Sequence, residues 1–262
     1  MMQMIDKTEI EIRALKVRQE NSIQTYGVKD IFCLIEQLNI YSLRYPFGKD
    51  VLLGFSTVYE GKKVIVSNSS EILSREIFTI CHELGHIIYD FADDDQDLIV
   101  DIDINEINKD ISEERAFYFA NCFLMPENRL SDFIKFELKK YNNKLTALDI
   151  VRIQMEFNVS YNAAVMRLHE IGFLTLKHKS ELFDEKLQIS SAALFRMIDA
   201  DDKLLKPSNV IKVPAQFYEF VISNYNNDYI PFSSLKYALD LLGEDASPLK
   251  KEAIENNERK IL

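Results

Sequence analysis

The stretch His82-Glu83-Leu84-Gly85-His86 decides how the rest of the chain is read. Around it Ile77, Ile80, Leu84, Ile87 and Ile88 recur at helical spacing, which predicts a helix from about Leu73 to Phe91. Residues four apart on a helix share a face, about one turn from each other. His82 and His86 are therefore placed to hold one Zn²⁺ ion at bond lengths of roughly 2.0–2.1 Å. Glu83 stands beside the first histidine, where it can work on a water at the ion without binding the ion itself. Successive helix residues point roughly 100° apart, so Cys81 should face away from the ion and fill the core.

Two histidines do not complete a catalytic site, which takes three protein ligands and keeps one position open. No third histidine follows at short range, since the next is His169. A carboxylate on a second helix is the alternative. Glu113 and Glu114 open the next helix, expected over 113–124 with Ser112 as its N-cap and Pro126 past its end. Adjacent helix residues diverge, so only one of the two can reach the ion, and spacing leaves the choice open. Tyr89, Tyr118 and His169 are candidate donors to a developing oxyanion, each with an ordinary core or surface role as the simpler reading.

Upstream, helices are expected over residues 6–25 and Asp30–Leu38. Two strands, 51–59 and 62–67, turn around Glu60-Gly61, with Val64, Ile65 and Val66 as the β-branched run. An edge near 51–57 could hold a peptide as an added strand. Downstream, a helix over 130–140 precedes a pair over 147–157 and 161–171, joined by Asn158-Val159-Ser160 and stopped at Gly172. From about 176 the chain reads as mostly helical with an extended piece near 209–213. Phe217, Phe220, Val221, Leu235, Ala238, Leu239 and Leu242 are its expected core. These parts suggest an α+β fold: a small mixed or antiparallel sheet against the metal-bearing helices, then a helical part. The expected divisions are 1–143, a metallopeptidase domain; 144–175, a helix-turn-helix-like segment packed on it; and 176–262, a C-terminal region.

Apolar residues make up 47% and charged residues 28%, a globular balance. The start has no apolar h-region and no run of about 18 apolar residues follows, so neither a signal peptide nor a membrane span is expected. Three sparse cysteines, Cys33, Cys81 and Cys122, fit a reducing cytoplasm. The net charge of −11 argues against general polyanion binding and suits a basic partner. Much of it lies in residues 93–114, where ten acids face only Lys109. Asp101-Ile102-Asp103-Ile104-Asn105 opens like a calcium loop, but Glu106 and Ser112 stand where that loop needs Gly and Glu, so a solvated or docking loop is the reading.

The run from Arg75 to His86 resembles the signature of the ImmA/IrrE family of zinc metallopeptidases. A second block, Glu113, Ala116, Phe119, Ala120, Phe123, Leu124, Met125 and Pro126, is similar to the family's Glu-x-x-Ala-x-x-Phe-Ala-x-x-Leu-Met-Pro. The likeness reaches Leu174 through Asn158-Val159-Ser160 and Leu168-His169-Glu170-Ile171-Gly172-Phe173. It implies a zincin-like core, Zn²⁺ on His82, His86 and Glu113, and Glu83 as general base. Glu113 thereby outranks Glu114. Four residues after that Glu the family usually carries Asn or Asp, a place for an acceptor to a ligand histidine. Phe117 stands there, and Asn121, a turn further along the same face, is the candidate instead. Members of known role cut helix-turn-helix repressors, often in mobile elements or stress responses, so the implied partner is a basic repressor.

Two other functions compete. Residues 147–174 could read DNA, but Arg152 and Arg167 against Asp149, Glu156 and Glu170 leave no basic face for phosphate, so direct nucleic-acid binding is not expected. An inactive interaction module is the other, and the intact Glu83 argues against it.

Overall fold

The computed structural model describes residues 5–59, 61–91, 111–140 and 144–250. The expected acidic insert lies almost wholly outside them. The fold is α+β. Helices α1 (Lys7–Glu20) and α2 (Ile31–Gln37) lead into a sheet of β1 (Tyr41–Tyr45), β2 (Gly54–Tyr59) and β3 (Lys62–Asn68). Helices α3 (Leu73–Tyr89) and α4 (Ile111–Leu124) carry the histidines and the following carboxylate.

The sheet is mixed, in the order β1-β3-β2. β2 and β3 form the expected hairpin, antiparallel with Ser56 opposite Ile65, and Gly61 takes the positive φ of +71° that its turn requires. β1 runs parallel to β3, with Leu43 opposite Val66. This strand escapes a hydrophobic-pattern search because its two inward positions are polar. Ser42 and Arg44 are the buried ones. Arg44 clamps Glu76 of α3 through Nε to Oε1 and Nη2 to Oε2, both at 2.8 Å. Ser67 of β3 donates to the same carboxylate at 2.9 Å and Ser208 at 3.2 Å.

Helix α1 stops short of the expected 25. Asn21 closes it, Ser22 turns to φ +56°, and Arg18 draws the chain back by donating to the carbonyls of Thr25 and Tyr26. Its third bond, to the Phe123 carbonyl at 2.9 Å, satisfies the last turn of α4. Ser112 is not an N-cap: α4 begins at Ile111, and the hydroxyl turns sideways to Asp90, the C-cap of α3. The helix expected over 130–140 is a short α5 (Glu127–Asp132) running into a π turn, Phe133–Glu137.

Helices α6 (Ala147–Phe157) and α7 (Tyr161–Glu170) meet at Asn158, in the left-handed conformation at φ 56°. Ile150, Val151, Ile153, Phe157, Val159, Val165 and Leu168 join one core with Ile10 of α1, Ile80 of α3 and Phe119 of α4. That core takes in Leu182 of α8 (Leu176–Gln188) and Leu194 and Phe195 of α9 (Ser191–Met197), and ends at Leu204. The extended segment after it caps α3. The Leu73 amide donates to the Lys206 carbonyl at 2.9 Å, and Ile72 bridges Pro207. Two compact units result, one ending at Ile211 and one beginning at Lys212.

The second unit has its own small core under α10 (Ala215–Asn226) and α11 (Phe232–Asp240): Tyr225, Leu235, Leu239 and Ala246. Leu235 and Leu239 were expected there, whereas Phe220 is exposed. Phe220 lies five residues before Tyr225, off the face that Val221 and Ile222 share with it. Among the described residues no helix is long and apolar enough to cross a membrane.

The Glu76 clamp joins β1, β3 and α3. Glu76→Ala leaves the Arg44 cation buried without its partner, which costs about 3–5 kcal/mol. Urea denaturation should show a lower midpoint at nearly unchanged slope; a loss under about 1 kcal/mol would count the clamp as incidental.

Candidate metal centre

Helix α3 buries Ile77, Ile80, Leu84 and Ile87 on one side and turns His82, half-buried, and His86, buried, to the other. Their Nε2 atoms lie 3.1 Å apart. Glu113, in the first turn of α4, closes the triangle. Its Oε2 is 3.0 Å from His82 Nε2 and its Oε1 is 2.9 Å from His86 Nε2. Glu114 points to solvent. Among the described residues these three are the one group of His, Cys, Asp or Glu donors that could hold an ion, with donor atoms within 4.8 Å of each other.

Gly85 makes this possible. A Cβ at that position would stand 2.9 Å from the Cα of Ala116, so only glycine lets α4 come this close. Ala116 is itself small and fully buried, and it sits three residues after Glu113. The contact sets the distance between the helices and hence the reach of the carboxylate.

Glu83 is buried on the sheet side of α3. Its Oε2 accepts a hydrogen bond from the Ser56 hydroxyl of β2 at 2.7 Å. Burial pushes its carboxyl pKa up, and the nearby His82 and the Ser56 bond pull against that. β2 reaches α3 so closely because a Cβ at Gly54 would stand 2.7 Å from Thr79 Cγ2.

The acceptor beside His86 is Asp90, which the sequence reading overlooked. His86 Nδ1 lies 2.6 Å from Asp90 Oδ2. The same carboxylate takes a bond from Ser112 at 2.5 Å and an ion pair from Arg115, whose guanidinium lies over the Tyr89 ring. Asn121, the candidate for this role, donates to the Phe117 carbonyl at 3.0 Å. Asp90 was detectable in principle, since it follows His86 by one turn. A proton on Nδ1 bonded to Asp90 leaves the Nε2 lone pair facing the triangle.

The cluster's electrostatics follow from these contacts. Burial disfavours the His86 cation, but bonds to Asp90 and Glu113 outweigh it and raise its pKa to about 10. Bonds from His82 and His86 hold Glu113 well below the usual carboxylate range. Burial works against the Asp90 anion, yet the bonds from His86 and Ser112 still lower its pKa. Two imidazole nitrogens and a carboxylate oxygen, partly open to solvent, are a donor set that fits a divalent cation with a position to spare.

The other sequence candidates are engaged elsewhere. The Tyr89 hydroxyl donates to Glu9 at 3.3 Å, and that of Tyr118 to Glu11 at 2.6 Å, both on α1. His169 Nδ1 bonds the Leu174 carbonyl at 2.8 Å. Cys81 is buried, and its thiol pKa is raised by desolvation.

A family model described as Peptidase_M78, IrrE N-terminal-like domain, matches residues 35–169, just over half of the chain. It spans the sheet, both metal-site helices and the α6–α7 pair. No curated protein matches the chain.

Asp90→Ala should lower metal affinity about 10- to 100-fold, the usual cost of removing such an acceptor. Competition against a chromophoric chelator measures it. Unchanged affinity would assign Asp90 a purely structural part.

Proposed function

The chain belongs to the Peptidase_M78 family, and from that premise we propose that it is a zinc-dependent endopeptidase whose substrate is a basic helix-turn-helix repressor. The family implies a peptidase, and the donor set is compatible with a metal. The observation that carries the reading is the convergence of His82, His86 and Glu113 beside a buried Glu83. Structural zinc sites usually fill all four positions and favour cysteine, which this cluster does neither of.

A zinc ion held by His82, His86 and Glu113 would supply Lewis acidity to the peptide carbonyl and to the attacking water. Glu83 takes the proton of that water and returns it to the leaving nitrogen. Ser56 fixes one of its oxygens, so the other is left for the proton. Burial raises the carboxyl's proton affinity, which suits a group that must both accept and deliver. Among the described residues β2 pairs only with β3, on one side. Its second edge is available to an extended peptide, which would lie beside Ser56 and so beside Glu83.

The partner follows from charge. At −11 the chain favours a basic protein over nucleic acid. The α6–α7 pair supports this. It gives its apolar side to the core, and Arg167, one of its two arginines, is buried against the Met125 carbonyl and Glu170.

Glu83→Gln should retain the metal and lose about 10²–10⁴ of kcat, the range for a general base. Mixing each form with candidate repressors and following cleavage by mass spectrometry checks it. Equal cleavage by both forms would refute the assignment.

The acidic insert lies almost wholly outside the described residues, and Asp90, just before it, accepts a hydrogen bond from Ser112 beside His86. Acidic charge in a segment next to Asp90 in the chain would steer a basic substrate in without altering the chemical step. Asp93, Asp94, Asp95 and Asp97 replaced together by Asn should lower kcat/KM at low ionic strength with kcat unchanged. The difference should vanish at about 0.5 M salt, where the Debye length is well under 8 Å. An equal deficit at every salt concentration would make the segment structural.

A further inference from the structure

Two phenylalanines flank the metal centre without belonging to it. Phe78 lies on α3 one turn before His82, and Phe117 on α4 one turn after Glu113. Their rings meet edge to face, with centroids 5.2 Å apart and planes at 61°. Phe78 is half-buried and packs on the main core. Phe117 leans on it from outside and remains 55% exposed.

A single exposed phenylalanine is unremarkable on a protein surface. Here the exposed ring is backed by a second ring that the core holds in place. The pair also sits one turn, about 5.4 Å, from the ligands on both helices. Residues four apart share a helix face, so Phe117 stands on the Glu113 side of α4 and Phe78 on the His82 side of α3. Next to a cluster of imidazoles and carboxylates, the rings give an apolar step at the distance of one substrate side chain. An extended peptide advances about 3.3 Å per residue and turns alternate side chains to one face. With the scissile carbonyl at the metal, the residue on one side of that bond would project onto the rings. An aromatic or long aliphatic side chain spans the gap and covers apolar surface, whereas alanine does not reach it.

We propose that Phe78 and Phe117 form the specificity shelf of this centre, receiving a large apolar side chain from a residue flanking the scissile bond. The proposal rests on the metallopeptidase reading and goes beyond it by naming the side chain selected.

The test uses the full chain loaded with zinc and a library of peptides from a digested proteome, with cut sites mapped by mass spectrometry. Wild type should enrich Phe, Tyr, Leu, Ile or Met at one of the two positions flanking the cut. For a matched pair of peptides with Phe or Ala at that position, Phe117→Asn should reduce the preference in kcat/KM about tenfold. Phe117→Leu keeps an apolar shelf and should retain preference for Leu, Ile and Met. Metal content, measured in each variant, separates loss of the shelf from loss of a ligand; where Phe117→Asn fails to hold zinc, Phe117→Leu against wild type carries the comparison. Binding gives a readout apart from turnover. In a Glu83→Gln background, fluorescence anisotropy with the preferred labelled peptide should show affinity weakened about tenfold by Phe117→Asn. Cleavage by wild type and variants with the same preference, or with none, would overturn the shelf and leave the peptidase standing. A zinc-loaded wild type that neither cuts nor binds any peptide would overturn the peptidase reading, and the shelf with it.

Discussion

The distance between α3 and α4, set by Gly85 against Ala116, is the constraint on which the metal centre depends. Histidines four apart on one helix can present two nitrogens, but the third donor must come from elsewhere at the same height and depth. A side chain at residue 85 would push α4 outward, since the backbone of Ala116 lies where its Cβ would go. Glu113 would then lose reach towards both imidazoles, which it meets at 3.0 and 2.9 Å. The cost of glycine in a helix interior, about 1 kcal/mol relative to alanine, is offset by the packing it allows. Arg18 works on the other end of α4 by tying the Phe123 carbonyl, in its last turn, to α1.

Helix α3 and its C-cap place an acid on one face every two turns: Glu76, Glu83 and Asp90. Each is buried or nearly so, and each has a different partner. Glu76 meets Arg44 and Ser67 of the sheet, Glu83 meets Ser56, and Asp90 meets His86, Ser112 and Arg115. An isolated buried carboxylate would be costly, so a row of three needs partners from several elements. The partners differ in kind. A cation neutralises Glu76 outright, which suits an anchor. A hydroxyl orients Glu83 without neutralising it, which leaves its proton affinity free to be raised by burial. Asp90 is shared between a cation and an imidazole, which suits a group that orients a ligand.

How much of this was legible varied with how tightly chemistry constrains spacing. The histidine pair and its helix were legible because two ligands on one ion demand the i, i+4 interval. The choice of Glu113 over Glu114 was open to spacing alone and came from the resemblance of a second block. The hairpin was legible from its β-branched run and its Gly61 turn. Strand β1 was not, because its buried positions are a serine and an arginine, and the arginine's partners lie 32 or more residues downstream, at Glu76 and Ser208. Asp90 was hidden in an acid-rich stretch, and Asn121 was preferred to it on a family pattern that Phe117 breaks. Ser56 carried no signal at all, since a serine in a strand is commonplace until the helix opposite it is known to hold Glu83. In the second unit, helical spacing located Leu235 and Leu239, but without knowing which helix faced which it placed Phe220 inside.

The start of α3 shows how far such dependencies extend. Ile72 offers no side-chain cap to the helix, so its first amides need outside acceptors. Leu73 finds one in the Lys206 carbonyl, and Ser208 adds a hydroxyl to the Glu76 clamp two residues further on. Ser69 and Asn209 extend the contact, the Asn209 amide donating to the Ser69 carbonyl and the Ser69 hydroxyl to that of Val210. Lys206, Ser208, Asn209 and Val210 lie outside the family match, which ends at 169. They nonetheless close the end of the helix that bears both histidines. The first compact unit therefore runs past the matched region because α3 is not complete without the segment that follows it. A boundary drawn at the end of the family motif would leave a helix terminus uncapped and a buried carboxylate short of one of its donors.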